Sequence, residues 1–134
     1  MPDAPSARTA RVDILVTGTG RPSVASTCSL VRDGPVVLVV DPGPSPSQAA
    51  ILDPLRALGL EPADVTDVVI SHHHPDHPLN MALFPAARVH DHVAVYDFNG
   101  RWDDVDAEGR ELAIADRIVP GHGAPFVPGP STPR

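Results

Sequence analysis

Residues 71–77 read SHHHPDH and place four histidines and one aspartate within seven positions. They directly follow residues 65–70, VTDVVI, an apolar run with the length and residue types of a buried strand. A polar cluster at the end of such a strand is either a metal-binding loop or a histidine-rich surface loop that binds nothing. Other segments of the chain are needed to decide between these two interpretations.

The cluster contains the pattern His-x-His-x-Asp-His. In an extended segment, residues two apart point to the same side, so His72 and His74 can converge on one ion while His73 points away. Asp76 and His77 follow where the chain bends, and they can turn toward a neighbouring position. Imidazole nitrogen and carboxylate oxygen are ligands that suit zinc, manganese or iron.

Two further segments favour the metal-binding interpretation. Upstream, LVVDPG at residues 38–43 ends the strand-like run of residues 35–40. Downstream, residues 118–123 read IVPGHG, a second strand-to-loop transition that carries His122. A histidine-rich surface loop that binds nothing would not require VDPG upstream and PGHG downstream, so the three motifs together predict a metal site.

The set VDPG, SHHHPDH and PGHG resembles the metallo-β-lactamase fold metallohydrolases. The segment HPLNMALFPAARV after the cluster is similar to the branch of metallo-β-lactamase domain-containing protein 1. The resemblance spans roughly residues 11–126 and implies an α/β fold, an αββα sandwich. It also implies that Asp41 is the buried carboxylate that supports the metal loop. By the same resemblance, the first metal site would hold His72 and His74, and the second would hold Asp76, His77 and His122.

The chain departs from the family between the two metal motifs. Family members supply a further histidine in a glycine-flanked turn for the first metal, and a later aspartate that bridges the two ions. Here only His90 and His92 lie between His77 and His122, and neither is in a matching turn. We therefore expect an internal deletion that truncates the second sheet and leaves the first site one ligand short of three. A single ion should then prefer the second set of ligands.

Several residues could replace the missing ligand, but each is expected to be a solvated surface residue. They are His90, Asp91, His92, Asp103, Asp104, Asp106 and Asp116.

The chemistry that follows is hydrolysis. A bound metal with an open position lowers the pKa of water and generates hydroxide near neutral pH. Asp76 would be the catalytic residue that orients or deprotonates this water. The substrate would be an ester, thioester, lactone or phosphodiester, and the cofactor one or two zinc ions, with manganese or iron as alternatives. The competing hypothesis is a shortened, non-catalytic relative that acts as a metal-binding or interaction module.

Composition adds weaker constraints on partners and location. The 134 residues predict one domain, with a loose N-terminus at residues 1–8 and a Pro-rich tail at residues 124–134. A net charge of −7 with scattered arginines and no lysine disfavours nucleic acid, although the resemblance leaves it open, and a small-molecule substrate is expected. No segment is apolar enough to span a bilayer, so we expect no membrane partner and a cytoplasmic location.

The expected deletion and the single cysteine lead to two further predictions. Loss of a block from the second sheet would expose strand edges and apolar faces, which favours a homodimer. Cys28 lies in the run VASTCSLV and is expected to be a buried strand residue rather than a nucleophile.

Patterning predicts an antiparallel meander followed by a crossover. The first strands are Arg11–Val16, residues 24–31 and residues 35–40, with a hairpin turn at Asp33-Gly34. A helix over residues 45–60, with Ser47 as N-cap and Gly59 after its end, leads to the strand at residues 65–70. This order implies a βαβ-like crossover onto one sheet.

After the cluster, shorter elements are predicted. They are a helix at 79–84, strands at 87–89 and 92–96, an exposed loop or hairpin at 99–111, and brief pieces at 112–115 and 117–119.

Overall fold

Residues 10–104 of the chain are described by the structure, a computed structural model. The predicted pieces at 112–115 and 117–119, the loose start at 1–8 and the tail at 124–134 lie outside these residues. Within residues 10–104 the architecture is α/β, with seven strands in one mixed sheet and one α-helix. None of the helices in this part of the chain is long and apolar enough to cross a membrane.

The chain opens with the predicted antiparallel meander of β1 (Arg11–Val16), β2 (Cys28–Asp33) and β3 (Val36–Val40). The β2–β3 turn contains Gly34 at φ 56°, a backbone conformation that glycine adopts without steric cost.

The prediction that the second strand begins at residue 24 is wrong. Ala25 forms only an isolated bridge with Thr19, and the side chains of Ser26 and Thr27 hydrogen-bond to loop backbone. These side-chain bonds replace strand pairing, so β2 begins at Cys28.

Helix α1 (Ala49–Ala57) provides the crossover between β3 and β4 (Asp67–Val69), which pair in parallel as predicted. The helix is shorter than expected. Gln48 rather than Ser47 occupies the N-cap position, and no side chain caps it. At the other end, Gly59 has φ 80° and its N–H donates to the Arg56 carbonyl, which confirms the expected glycine stop.

The remaining strands are β5 (Arg88–His90), β6 (Ala94–Tyr96) and β7 (Trp102–Asp104). β5 is parallel to β4, whereas β6 pairs antiparallel with both β5 and β7. For residues 99–111 we predicted an exposed loop or a hairpin, and the described part of this segment forms a hairpin with β6. The helix predicted at 79–84 is only a 3-10 turn at Met81–Leu83. A second 3-10 turn, Pro62–Asp64, precedes β4. The strand predicted at 65–70 is observed only over Asp67–Val69.

The two faces of the sheet are packed differently. Leu30, Val39, Val68 and Val89 are almost completely buried on one face, in a core shared with Ile51 and Leu55 of α1 and with Phe84. By the strand register, the opposite face carries apolar side chains that are only half-buried and lie outside this core. These residues are Ile14, Val31, Leu38, Val40 and Val69.

Candidate metal centre

Three consecutive parallel strands end at the same edge of the sheet. β3, β4 and β5 pair in parallel, so their carboxyl ends lie side by side. Asp41 follows β3 directly, the SHHHPDH loop follows β4 after Ile70, and Asp91 follows β5. The topology therefore brings together three polar segments that are far apart in sequence.

Asp41 is the centre of the hydrogen-bond network at this edge. Its carboxylate is buried and accepts hydrogen bonds from the backbone N–H of Ser71 at 2.8 Å and from the Ser71 hydroxyl at 2.7 Å. A third partner is Nδ1 of His77, at 2.9 Å. Asp41 adopts φ 50°, which aspartate tolerates better than most residues. The carboxylate thus ties both ends of the histidine loop to the end of β3.

His77 is held in one orientation by this contact. Its side chain is only 3% exposed, and its Nδ1–H donates a hydrogen bond to the Asp41 carboxylate. The other ring nitrogen, Nε2, lies 3.2 Å from Oδ2 of Asp76. Metal-binding histidines usually donate one ring N–H to a carboxylate in this way, because the contact fixes the tautomer and the orientation of the ring.

The rings of His72 and His74 lie close to His77. The ring centroids of His72 and His74 are 4.7 Å apart, and those of His72 and His77 are 4.0 Å apart. His72 and His74 are exposed, whereas His77 is buried, so the group is open to solvent on one side. His73 is directed elsewhere, with Nε2 2.8 Å from Oδ2 of Asp91.

The donor atoms suit zinc, but the described residues do not form a complete site. Three imidazoles and one carboxylate are the right ligand types, and the Asp41–His77 contact has the required orientation. Within residues 10–104, however, no three His, Cys, Asp or Glu side chains are arranged to hold an ion. His122, the remaining predicted ligand, lies outside the described residues.

The sequence model of the metallo-beta-lactamase superfamily matches residues 21–133, which include VDPG, SHHHPDH and PGHG. The chain belongs to the metallo-beta-lactamase superfamily. Membership confirms the predicted resemblance and places the chain in a family of metallohydrolases.

Relatives within the superfamily are similar over part of their length. Metallo-beta-lactamase domain-containing protein 1 of Homo sapiens is 36% identical over 98 residues, which are 67% of this chain and 35% of that protein. Its Xenopus laevis counterpart is 31% identical over 97 residues, or 66% of this chain and 41% of that protein. The chain therefore spans about two fifths of the length of these relatives.

A solved structure supports the fold. A Thermotoga maritima protein, described provisionally as a metallo-beta-lactamase, superimposes with a TM-score of 0.53 at 31% identity. The match covers 60% of this chain and 42% of that one. This likeness confirms the predicted metallo-β-lactamase fold class.

Close packing in this superfamily member explains the glycine of VDPG. A Cβ atom on Gly43 would lie 1.9 Å from the carbonyl oxygen of Asp76 and 2.6 Å from the Ser26 hydroxyl oxygen. The Asp76 carbonyl accepts a hydrogen bond from the Ser26 backbone N–H at 3.2 Å. Gly43 thus lets the loop after β3 approach the loop that carries the predicted metal ligands.

Sequence reasoning missed the structural roles of Ser71, Gly43 and Ser26. Ser71 contributes two of the hydrogen bonds to Asp41, and its hydroxyl is also 3.1 Å from Nδ1 of His72. A serine directly after a buried strand gives no signal of this kind, because its partner is 30 residues away in sequence. The hydroxyl becomes recognisable only when β3 and β4 are known to be parallel neighbours.

The candidates for a replacement ligand are not all surface residues as expected. Asp91 is 6% exposed, and His90 is partly buried with Nε2 2.7 Å from Oδ1 of Asp67, so the surface expectation is wrong for these two. His92, Asp103 and Asp104 are exposed, as predicted. Asp106 and Asp116 lie outside the described residues.

Cys28 matches its predicted environment. It is 1% exposed at the start of β2, and burial, with the nearby negative charge of Asp41, raises the pKa of its thiol to about 12. A thiol that remains protonated is a poor nucleophile, which agrees with its assignment to the core.

The aromatic residues near the end of the described chain form a local cluster. Trp102 is 57% exposed and stacks on Tyr96 with ring centroids 5.2 Å apart. Burial, with the charge of Asp91, raises the pKa of Tyr96. This stack attaches β7 to β6 across the hairpin.

Proposed function

We propose that this chain is a metal-dependent hydrolase that binds one or two metal ions through residues of SHHHPDH together with His122. The proposed ligands are His72, His74, Asp76, His77 and His122, and the proposed metal is zinc, with manganese or iron as alternatives. The observation that carries the proposal is the Asp41–His77 contact of 2.9 Å, which orients a buried imidazole as metal sites require.

Zinc, when bound, supplies Lewis acidity that brings the pKa of a coordinated water toward neutrality. The chain's own residues orient the ligands and accept the proton. Asp41 keeps His77 in one tautomer, and the exposed rings of His72 and His74 lie on the side that solvent and substrate can reach. Asp76, whose side chain is 17% exposed beside His77, is the carboxylate that would accept a proton from the attacking water.

The proposed substrates are small molecules that contain an ester, thioester, lactone or phosphodiester. The net charge of −7 argues against long nucleic acids as the preferred substrate, because a polyanion would be repelled. A bound cation can still attract a small anionic group locally.

The second candidate function is that of a shortened, non-catalytic relative that serves as a metal-binding or interaction module. The observation in its favour is that residues 10–104 contain no group of three side chains arranged to hold an ion. Turnover that depends on metal separates the first candidate from the second.

Metal analysis tests the proposal. We expect protein purified without chelators or an affinity tag to contain zinc, manganese or iron, measured by elemental analysis, and His77→Ala and His122→Ala to lose most of it. His92→Ala is the matched control, because His92 is an exposed histidine outside the proposed ligand set. Loaded protein should hydrolyse at least one compound of an ester, thioester, lactone and phosphodiester panel. Wild-type protein that stays empty on zinc titration would refute the metal site.

A further inference from the structure

His73 is the one histidine of SHHHPDH that is directed away from the others, and it has a specific partner. Its Nε2 lies 2.8 Å from Oδ2 of Asp91. The His73 side chain is 46% exposed, whereas the side chain of Asp91 is only 4% exposed. The buried carboxylate of Asp91 therefore contacts the half-exposed imidazole of His73 from the protein interior.

Asp91 is itself fixed independently of His73. Its Oδ1 accepts hydrogen bonds from the backbone N–H groups of Val93 and Ala94, each at 2.8 Å, and its own N–H donates to the Ala94 carbonyl at 3.0 Å. These bonds close the turn between β5 and β6. Burial alone raises the pKa of Asp91, but the hydrogen bonds from His73, Val93 and Ala94, with the charge of His73, outweigh it and keep this pKa below its ordinary value.

The histidine loop is thus attached at two places. Asp41, at the end of β3, holds Ser71 and His77, which are the two ends of the loop. Asp91, at the end of β5, holds His73 between them. Because neighbouring side chains of an extended segment point to opposite sides, fixing His73 on Asp91 directs the residues before and after it to the other side.

We propose that Asp91, acting through His73, is a positioning residue that orients His72 and His74 toward the metal. The rings of His72 and His74 lie 4.7 Å apart, on the side away from Asp91. This inference rests on the proposed metal-binding function and adds to it a contact outside the ligand set. Residues that orient ligands in this way typically change metal affinity about 10- to 100-fold when they are replaced.

The test compares zinc affinity in Asp91→Asn, His73→Ala and the double variant, by titration against a competing chromophoric chelator. An asparagine keeps an oxygen for the N–H groups of Val93 and Ala94 but cannot accept a hydrogen bond from His73 at the Oδ2 position. We expect Asp91→Asn to bind zinc about 10- to 100-fold more weakly. Since Asp91 acts through His73, the double variant should be no weaker than His73→Ala alone.

Asp97→Asn is the matched control. Asp97 also closes a turn, since its Oδ1 accepts from the N–H groups of Asn99 and Arg101, and among the described residues its carboxylate has no histidine partner. Zinc affinity should be unchanged in this variant. The absorption spectrum of the cobalt-loaded protein gives a second readout, because its d–d bands report ligand geometry and would change in Asp91→Asn but not in Asp97→Asn.

The possible results separate the two proposals. Wild-type protein that binds no zinc removes the proposed function and, with it, the role of Asp91. Wild-type protein that binds zinc, with equal affinity and an unchanged cobalt spectrum in Asp91→Asn, overturns only the role of Asp91. Losses in Asp91→Asn and His73→Ala that multiply in the double variant also overturn it, because the two residues would then act independently.

Discussion

Gly43 joins two loops that are separated by more than 30 residues in sequence. It lies against the backbone of Asp76, and the hydroxyl of Ser26 completes the contact. The backbone N–H of Gly43 also donates to the Asp41 carbonyl at 2.8 Å. The absence of a side chain at this position therefore determines how closely the end of β3 approaches the histidine loop.

Replacement of Gly43 by alanine should displace the Asp76 backbone. The added Cβ would overlap the Asp76 carbonyl, which cannot move without losing its hydrogen bond from Ser26. We expect the free energy of unfolding, measured with urea, to fall by about 1–3 kcal/mol.

Gly20→Ala is the control for this substitution. No atom lies within 4 Å of a Cβ built at Gly20, so its effect should stay within about 0.5 kcal/mol. If the two substitutions lowered the free energy of unfolding equally, the close approach at Gly43 would not be required for stability.

Sequence reasoning at this scale identified residue types better than contacts. The extended spacing predicted that His73 points away from His72 and His74, and its ring contacts Asp91 instead. The role of Asp41 in supporting a metal loop, which the resemblance implied, stays a prediction, although its carboxylate contacts His77. The partner of His73 was not predictable, because Asp91 follows a three-residue strand whose neighbours depend on the complete sheet. Its sequence surroundings, VHDHV, are polar on both sides and suggest only a surface loop.

Asp67 and His90 connect β4 and β5 at the level of secondary-structure elements. Their side chains meet at 2.7 Å across the parallel pair. Burial alone raises the pKa of Asp67, but hydrogen bonds from Thr66 and His90, with the charges of His90 and Arg88, outweigh it. The pKa of Asp67 therefore lies below its ordinary value of 3.8 in the folded protein.

This lowered pKa predicts the pH range in which Asp67 stabilises the fold. A carboxyl group whose pKa is lower in the folded state contributes stability above the unfolded pKa, and the contribution is lost as the pH falls through the folded value. The difference in unfolding free energy between wild type and Asp67→Asn should be largest above about pH 4 and shrink below it. Urea titrations at a series of pH values measure this difference.

His90→Gln is the background that identifies the cause. Since His90 supplies both a hydrogen bond and a charge to Asp67, the pH dependence of the Asp67→Asn effect should become smaller in that background. An undiminished pH dependence would assign the shift to Thr66 and Arg88 instead.

Local sequence patterns predict some of the residues at which helices and strands begin or end, but not all of them. The β1 strand and the glycine stop of α1 depend on local chemistry, and both were predicted correctly. The predicted start of β2 was wrong, because the Ser26 hydroxyl donates to the Asp41 carbonyl. The predicted N-cap of α1, Ser47, was wrong because the helix begins one residue later, after Gln48, and has no side-chain cap. A serine has several backbone partners available, and the tertiary structure selects among them.

At the scale of the whole molecule, the sheet has one covered face and one that no described element covers. Ile14, Val31, Leu38, Val40 and Val69 lie on the second face and are half-buried. Contiguous apolar surface on a sheet usually marks a contact with another layer or another molecule. The homodimer expected from the sequence stays a prediction, and this face is where it would form.

A charge in the middle of the apolar face should oppose such an association. We expect the wild-type chain to associate with increasing concentration in sedimentation experiments, and Leu38→Asp to shift it toward the monomer, because an aspartate there would have to be desolvated. Ala57→Asp, on the exposed side of α1, is the control and should associate as the wild type does. A wild-type protein that is monomeric at every concentration would exclude a dimer through this face.

The order of the strands in the sheet is the same as their order in the chain, from β1 to β7. Each strand therefore pairs only with strands made immediately before and after it, and none has to be inserted between two others. During synthesis, which proceeds from the N-terminus, every new strand can add to an edge that already exists. Once β5 has emerged from the ribosome, the nascent chain contains the carboxyl ends of β3, β4 and β5. The histidine loop can then contact its supporting strands before translation is complete.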